Sequence, residues 1–375
     1  MNNKLSTRDF SMVISLLIIW AIFTILSPTF VSSRNLSMLM IEFSIIAILA
    51  LGMFLVILPG HIDLSVGSGV GLFGGIASVL VFQYSWAAPL AMFVSLILAI
   101  ITWWLMGMLV VKQKIPAFII TLGGLLIFKG SFWLVIQNST IPVVKGGNVN
   151  LYSLLTTYYL PAYVSYTLCL LVIGGVAYRK IVSRNQRKQY GFTVENVEVS
   201  FMKVFVTAQA ILLFVLVSNE YRGVPLPIVI LATLATLVYI LTQHTKFGRY
   251  LYAVGSNEKA AFISGIPVEK LVIMSFATMG AIVALTGFMQ TAYAGSSTTT
   301  IGNLMELDAI AACVIGGTSL KGGRGNVMGV LFGALIMVSL LNGMTLLAIS
   351  PEIKFIARGT VLTLAVWMDV RLAND

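Results

Sequence analysis

Apolar runs of about membrane-crossing length recur along the whole chain and constrain its fold more than any other feature. A helix needs about 20 predominantly apolar residues to cross about 30 Å of hydrocarbon. The candidate runs cover 11–27, 37–58, 66–82, 88–111, 116–136, 162–178, 204–218, 226–243, 271–290, 327–347 and 355–369, with a shorter one at 305–319. Only 10% of the residues are charged, whereas soluble domains carry roughly 25%. The sequence therefore predicts an all-α polytopic membrane protein with 10–12 transmembrane helices.

The basic residues lie in the short breaks between the apolar runs. The net charge of +10 does not indicate nucleic-acid binding, which needs a clustered basic face on a soluble fold. If twelve spans start from an inner N-terminus, the basic residues inside are Lys4, Arg8, Lys112, Lys114, Arg179, Lys180, Arg184, Arg187, Lys188, Lys203, Lys246, Arg249, Lys259, Lys270, Lys321, Arg324 and Arg371. Those outside are Arg34, Lys145, Arg222 and Lys354, whereas Lys129 and Arg358 fall within or at the ends of spans. The positive-inside rule then predicts that both termini are cytoplasmic.

The cytoplasmic segment 244–270 has the pattern of a stiff surface element. Asn257 can cap a short helix, Gly265 can end it, and Pro267 stands where a following helix would start. The pattern predicts a short helix, a sharp break and a new helix that enters the membrane. The surface of that short helix would carry two small residues, Ala260 and Ala261. Such a helix suits docking into a groove of another protein, and an ordinary hairpin loop is the alternative.

Glycines recur at four-residue spacing in two places that differ by the same offset of 258. The two sets are Gly67, Gly71 and Gly75, and Gly325, Gly329 and Gly333. Glycine at this spacing lines one helix face and lets another backbone approach closely. The offset predicts an internal duplication, with repeats at about 35–137 and 204–369, and broken or re-entrant segments. Duplicated halves with interrupted helices are typical of transporters, although tight helix packing alone would also explain the glycines.

Several carboxylates fall at membrane depth, where an ionised group costs about 2.5–3.5 kcal/mol and should face a bundle interior or a cavity. They are Glu42, Asp63, Glu306 and Asp308. Asp63 has a structural explanation as the N-cap of the next helix, and Ser65 is the alternative cap. Asn303 and Glu306 have the spacing of a capping box. Proton relays also use embedded acids, so proton coupling stays an alternative.

The chain lacks the residues for metal binding, catalysis or ATP hydrolysis of its own. Its two histidines, His61 and His244, lie far apart in sequence and cannot form a multi-histidine site. The glycine-lysine cluster at 316–323 lacks the spacing of a phosphate-binding P-loop. We therefore expect no metal and no cofactor in this chain. If transport is ATP-driven, ATP and Mg²⁺ must bind to another polypeptide.

Two features could contact a sugar. The outer stretch 294–303 is rich in hydroxyl groups, which can hydrogen-bond a sugar or a docking protein, and a polar turn is the simpler interpretation. Trp103, Trp104 and Trp133 could stack on a pyranose ring. Tryptophans at span ends are more often interfacial anchors.

The most specific motifs of the chain are two long segments. They read GHIDLSVGS at 60–68 and ELDAIAACVIGGTSL at 306–320. Shorter motifs are YRGVP at 221–225, FGRYLYAVG at 247–255 and NGM at 342–344. Together they resemble the membrane subunit of bacterial monosaccharide ABC importers, the ribose, xylose and galactose permease family. The resemblance covers nearly the whole chain and is closest to the xylose or multiple-monosaccharide permease branch.

The resemblance implies a permease homodimer in the bacterial inner membrane. Its partners would be a periplasmic sugar-binding protein and a cytoplasmic sugar-importer ATPase. It also implies that 257–270 is the coupling loop, with Glu258, Ala260, Ala261, Gly265 and Pro267 at the ATPase. Permeases of this broader class carry Glu-Ala-Ala, three residues and Gly. Here the alanines and the glycine match, but Lys259 occupies the glutamate position and Glu258 is displaced by one.

The expected function is therefore that of the permease subunit of an ATP-driven importer for xylose or a related monosaccharide, working by alternating access. A proton-coupled secondary sugar transporter is the alternative, and a membrane-embedded enzyme or scaffold is a third possibility. The residues assigned to the translocation path or to helix packing are Asp63, Ser65, Ser68, Gly67, Gly71, Gly75, Asp308, Gly325, Gly329, Gly333 and Asn342.

Overall fold

The computed structural model describes residues 7–147 and 149–374. This part of the chain forms fifteen α-helices, one 3-10 helix and one short β-ribbon. In chain order the elements are α1 (Thr7–Leu26), the 3-10 helix (Pro28–Val31), α2 (Ser33–Ile57), α3 (Val66–Phe82), α4 (Ala88–Lys112), α5 (Ala117–Ile136), β1 (Ile141–Pro142), α6 (Leu151–Thr157), α7 (Ala162–Gln189), α8 (Val197–Tyr221), α9 (Leu226–His244), α10 (Lys246–Ser256), α11 (Glu258–Ile263), α12 (Val268–Ala294), β2 (Ser296–Ser297), α13 (Met305–Ile315), α14 (Val327–Leu346) and α15 (Pro351–Asn374). The predicted all-α polytopic class is confirmed.

The predicted membrane-crossing runs correspond to helices. Within the described residues, eight helices are long and apolar enough to cross a membrane, namely α2, α4, α5, α7, α8, α9, α12 and α14. Two shorter apolar helices are 12–26, within α1, and α3. Helices α6 and α10 and the β-ribbon were not predicted, because each is too short or too polar to give a membrane-span signal.

Prolines stand at the starts of many of these helices. Pro116, Pro161, Pro225 and Pro267 each lie immediately before a helix, and Pro89 lies in the first turn of α4. Proline has no N–H, and the first N–H groups of a helix have no partner within it. The prolines therefore set where these helices begin without interrupting any of them.

The connections between helices gather at two ends of the bundle. At the end that carries α11, called the α11 end, the backbone N–H of Gly323 donates to the carbonyl of Leu58 at 2.9 Å. At the opposite end, called the ribbon end, β1 pairs antiparallel with β2, with Ile141 opposite Ser297. Following the described chain from end to end gives twelve passes, made by α1–α5, α7–α9 and α12–α15.

Helix α2 forms the centre of the bundle. Its residues from Ala47 to Ile57 are all buried, and α9, α12, α13 and α14 pack around it. Helix α12 continues this core towards α3 and α4. A helix that is apolar on all sides is either buried in a large core or faces lipid. The sequence predicts α2 only as a membrane span, and the structure places it in the interior of the bundle.

Helices α7 and α8 form a peripheral pair that packs mainly on itself. Their connection is held by Glu195, whose carboxylate accepts hydrogen bonds from Lys203 at 2.6 Å and from Lys180 at 3.1 Å. These two donors lower the pKa of Glu195 to about 2. The Glu195 carboxylate therefore remains ionised at neutral pH. Its bonds to Lys180 on α7 and Lys203 on α8 hold the two helices together at the α11 end.

The glycine pattern is only partly helical. Gly67, Gly71 and Gly75 all lie on α3, as predicted. In the second set, Gly329 and Gly333 lie on α14, but Gly325 lies in the loop before it with φ of 147°. The prediction of three glycines on one helix face is therefore wrong for the second set, because α14 begins only at residue 327. The internal duplication at 35–137 and 204–369 stays a prediction.

Candidate functional site

Two irregular segments adjoin helix α3. The first, 58–65, joins α2 to α3, and the second, 298–304, joins the β-ribbon to α13. The second segment packs closely on the start of α3, since a Cβ placed on Gly67 would lie 2.5 Å from the carbonyl oxygen of Gly302. Non-helical backbone is tolerated at membrane depth only where protein or a water-filled cavity surrounds it. An irregular segment therefore precedes each of α3 and α13, and the one before α13 packs against α3.

Asp63 organises the first segment. Its Oδ1 accepts from the backbone N–H of Ser65 at 2.8 Å and from the Ser65 hydroxyl at 2.6 Å. Its Oδ2 accepts from the indole N–H of Trp103 at 2.5 Å. The predicted N-cap role of Asp63 is wrong, because Ser65 occupies the cap position and makes no side-chain cap bond. Asp63 instead ties the turn to α4, and its side chain is fully buried.

Replacing Trp103 with a residue that has no indole N–H tests whether its hydrogen bond to Asp63 stabilises the protein. We expect Trp103→Phe to destabilise the protein by about 1–3 kcal/mol, the usual cost of leaving a buried acceptor unpaired. The measurement is the thermal unfolding of the purified protein in detergent. The neighbouring Trp104 is 44% exposed, so Trp104→Phe is a matched control that should change stability by less than about 0.5 kcal/mol. Equal effects of the two substitutions would contradict the role given to the Trp103 hydrogen bond.

The second segment leads into α13 through a strained turn. Leu304 precedes the helix with φ of 61° and makes no side-chain cap bond. The predicted capping box of Asn303 and Glu306 is therefore wrong, since the helix starts one residue later than the box requires. Glu306 instead packs its carboxylate against Gly67, where a side chain would overlap it.

Asp308 is paired within the bundle. Its Oδ1 lies 3.0 Å from Nε of Arg358, which comes from α15, and the Asp308 side chain is 3% exposed. Sequence analysis singled out both charged residues within or near membrane spans but did not predict that they form an ion pair. The pair neutralises a carboxylate that would otherwise be costly in the bundle.

A second polar network lies between α2, α12 and α14. Glu42 accepts from the Tyr293 hydroxyl at 2.9 Å and from the Asn342 amide at 3.4 Å. Asn342 in turn accepts from the Asn35 amide at 3.0 Å. Sequence reasoning singled out Glu42 and Asn342 but missed Tyr293 and Asn35. Both lie within or beside predicted spans, and this polar placement was the only signal that could have found them.

The segment at 257–270 has the predicted form. Asn257 caps α11 by accepting from the backbone N–H of Ala260 at 2.9 Å. Gly265 follows with φ of 79°, and Pro267 precedes α12. Ala261 is only 5% exposed, so its predicted place on the surface is wrong.

The outer surface of α11 is therefore apolar and charged rather than small. Phe262 is 70% exposed and Ile263 is 84% exposed. Glu258, Lys259 and Ala260 are exposed as well. Ala261 faces inward because a six-residue helix packed along the bundle must turn one side towards it.

A groove of about 910 Å³ opens beside α11. Glu258, Lys259 and Phe262 of α11 form one wall, and the connection between α4 and α5 with Lys114 forms another. Gly60, His61 and Ile62 form part of its lining. The groove therefore joins the surface at the α11 end to the irregular segment that Asp63 organises.

The predicted residues thus fall in separate places. Asp63 and Ser65 lie in the first irregular segment, and Ser68 and the three glycines lie on α3, where Gly67 and Gly71 approach the second segment. Asn342 lies in the network with Glu42, and the α11 residues lie at the bundle end. A polytopic bundle with interrupted helices at membrane depth and a capped helix exposed at one end defines a membrane transport permease.

Comparison with known proteins agrees with this class. The sequence model of the branched-chain amino acid transport system permease component family matches residues 35–366, and the chain belongs to this family. It is 37% identical over 372 residues to the xylose transport system permease protein XylH of Haemophilus influenzae, covering 98% of this chain and 97% of the relative. XylH of Escherichia coli K12 is also 37% identical, covering 98% and 92%. The ribose import permease protein RbsC of Escherichia coli K12 is 33% identical, covering 95% and 92%. No solved structure matches the chain.

Proposed function

We propose that the chain is the membrane-spanning permease subunit of an ATP-driven importer of xylose or a related monosaccharide. Relatives named for xylose transport cover 98% of it at 37% identity, and a ribose import permease is somewhat less similar. Similarity over almost the full length means that the helices, the interruptions and the connections are shared. The xylose-type relatives therefore favour a pentose as substrate.

The distribution of basic residues orients the bundle. Lys114, Lys259, Lys270, Lys321 and Arg324 belong to connections or helix starts at the α11 end. The positive-inside rule places this end in the cytoplasm. Helix α1 starts and α15 finishes at the same end, so both termini are cytoplasmic in a bacterial inner membrane.

The exposed helix α11 is the observation that carries the proposal. It is capped, and its outer face carries the apolar residues Phe262 and Ile263 beside the charged residues Glu258 and Lys259. Amphipathic helices dock through such a face into a groove of a partner. Because this chain has no P-loop sequence, the partner is a separate ATPase subunit that binds ATP and Mg²⁺.

Force on α11 reaches the irregular segments through α12. Helix α12 begins at Val268, immediately after α11, and packs closely on α3 and α4. A Cβ on Gly280 would lie 2.6 Å from the carbonyl oxygen of Ala99, and one on Gly287 would lie 2.6 Å from that of Val70. Packed interfaces of this kind shift between discrete arrangements rather than deform continuously. Movement of α12 therefore changes the groove and the Asp63 turn together, as alternating access requires.

A second copy of the chain and an external sugar-binding protein complete the importer. A permease homodimer places two α11 helices before two ATP-hydrolysing modules. The ribbon end, with its hydroxyl-rich segment 298–303, is the surface on which a loaded binding protein would release its sugar. Selection of the sugar by the binding protein explains why a deep, enclosed sugar cavity is unnecessary in the permease.

Reconstitution tests the proposal. Vesicles that contain this chain, its ATPase and its binding protein should accumulate xylose only when ATP is supplied on the α11 side. Vesicles with this chain alone should accumulate none. Accumulation by the chain alone, driven by a proton gradient, would overturn the proposal in favour of secondary transport.

The break after α11 gives a sharper prediction within the same assay. Gly265 has φ of 79°, a backbone conformation that β-branched residues avoid, yet nothing lies within 4 Å of a Cβ built there. We expect Gly265→Val to redirect α11 and to reduce ATP-driven uptake about tenfold or more while the protein still inserts, a loss equivalent to roughly 1.4 kcal/mol or more. Uptake and ATP hydrolysis are measured together.

Gly191 supplies the matched control for this substitution. It has φ of 69° and equally open space, but it lies in the connection between α7 and α8. Gly191→Val imposes the same backbone strain away from α11 and should leave uptake near that of the unmodified importer. Equal losses in both variants would mean that strain, not the direction of α11, limits transport.

A further inference from the structure

Lys129 is an exposed cation on a membrane-crossing helix. It lies seven residues before the end of α5 at Ile136, which places it about 10 Å inside that end at 1.5 Å per residue. Ionisable residues at such depth are costly in lipid and usually face a bundle interior or a water-filled cavity. The side of α5 that carries Lys129 therefore faces a polar space in the working assembly.

A cleft lies beside Lys129, between α5 and the segment that precedes α13. Its polar lining consists of Ser68, Lys129, Thr299, Asn303 and Glu306. The cleft has a volume of about 40 Å³, room for about one water. A larger ligand would therefore rest against the mouth of the cleft.

An aromatic side chain forms the rim of this mouth. Trp133 is 41% exposed, and its ring centroid lies 5.7 Å from Nζ of Lys129. Its indole N–H donates a 3.4 Å hydrogen bond to the carbonyl of Thr299. That bond fixes the indole across the gap between α5 and the hydroxyl-rich segment. The Lys129 ammonium lies over the ring, and part of the indole surface stays exposed.

Glu306 supplies the strongest acceptor of the cleft. It is 7% exposed, and its carboxylate lies against Gly67 on α3. Ser68 follows that glycine and also lines the cleft. A carboxylate, two hydroxyls, an amide and an ammonium thus converge beside a flat apolar ring.

This combination matches the chemistry of a monosaccharide. A sugar ring presents C–H groups on one face and hydroxyls around its edge, so it stacks on an aromatic face while its hydroxyls donate and accept hydrogen bonds. Hydrogen bonds to a carboxylate or an ammonium are roughly twice as strong as those between neutral groups. An apolar solute would gain nothing from these charges. An anion would be attracted by Lys129 but repelled by Glu306, so the two opposite charges suit a neutral polar ligand better.

We propose that this cleft is a contact site for the sugar on its way through the permease, with Trp133 under the ring and Glu306 and Lys129 at its hydroxyls. The inference rests on the proposed function and adds the point at which this chain touches its cargo. Contact at the mouth is brief and weak, which suits a path that must release the sugar again.

The test uses the complete reconstituted importer with saturating, xylose-loaded binding protein. Trp133→Leu and Glu306→Gln should each lower the number of sugars moved per ATP hydrolysed about tenfold, equivalent to roughly 1.4 kcal/mol. ATP hydrolysis and assembly with the ATPase should not change. Trp86, which is 40% exposed outside the cleft, provides the control Trp86→Leu, with an unaltered ratio expected.

Trp133→Phe separates stacking from structure, because phenylalanine keeps an aromatic face but cannot donate to Thr299. The proposal expects it to retain most of the sugar-to-ATP ratio that Trp133→Leu loses. An unchanged ratio in both Trp133→Leu and Glu306→Gln would overturn it. So would equal losses in the leucine and phenylalanine variants, or loss of assembly in both. No ATP-dependent uptake by the unmodified importer would instead refute the proposed function itself.

Discussion

Replacing Gly329 with leucine is expected to disrupt the packing between α13 and α14 and to destabilise the protein. A Cβ at this position already overlaps the backbone carbonyl oxygen of Gly316. Backbone cannot move aside as a flexible side chain can, so the helices must separate. Overpacking of an interior typically costs 1–3 kcal/mol and occasionally more, and we expect about 3 kcal/mol or more here. A loss of this size is large against a total stability of about 5–15 kcal/mol.

The measurement is the yield and thermal unfolding midpoint of the variant in detergent, read by size-exclusion chromatography. Gly175 is the matched control, since it also lies in a membrane-crossing helix, α7, but has nothing within 4 Å of a Cβ. Gly175→Leu should behave as the unmodified protein. Full yield and normal stability of Gly329→Leu would show that the glycine is not needed for close helix packing.

Features that depend on near neighbours in sequence were predictable. Membrane-crossing runs follow from length and apolarity alone, and they correspond to helices throughout the described chain. The cap at Asn257 and the break at Gly265 follow from local backbone preferences. Each of these features depends on residues a few positions away along the chain, so it could be predicted without knowledge of the fold.

Features that depend on distant partners were not predictable. Local spacing made Asp63 a helix cap, but Trp103, forty residues away, takes one of its oxygens and makes it a tie to α4. Tyr293 reaches Glu42 across 251 residues without any sequence signal that joins them. Gly325 shares the spacing of a helical glycine face, yet the helix starts after it. For Asp63 and Glu42, tertiary contact decides the role, whereas Gly325 lies outside α14 because the helix begins at the local cap Asn326.

The polar groups at depth therefore divide into two kinds. Asp63 and Asp308 are held by partners from other helices and fix the positions of irregular segments. Lys129 and Glu306 line the cleft between α5 and the segment before α13. This division bears on the alternative of proton coupling, because an acid engaged in a structural pair is poorly placed to shuttle protons.

The ion pair between Asp308 and Arg358 can be tested for a structural role by removing the charge of Arg358. We expect Arg358→Met to destabilise the protein by about 3–5 kcal/mol, the usual cost of removing one partner of a buried ion pair. The methionine stem keeps most of the apolar packing of the arginine, so the loss reports the charge left on Asp308. Arg371 is exposed on the same helix, and its Cζ lies 4.7 Å from the ring centroid of Trp367. It provides the control Arg371→Met, with a change below about 1 kcal/mol expected, the size of an exposed cation–π contact.

The double variant Asp308→Asn with Arg358→Met separates the pair from the single charges. Because both charges are then absent, it should regain most of the stability that Arg358→Met loses, as replaced buried pairs often do. Thermal unfolding gives the stability, and ATP-driven uptake by the reconstituted importer gives the function. A structural pair predicts that uptake returns together with stability. A stable double variant that hydrolyses ATP but moves no sugar would show that the Asp308 carboxylate has a direct part in transport.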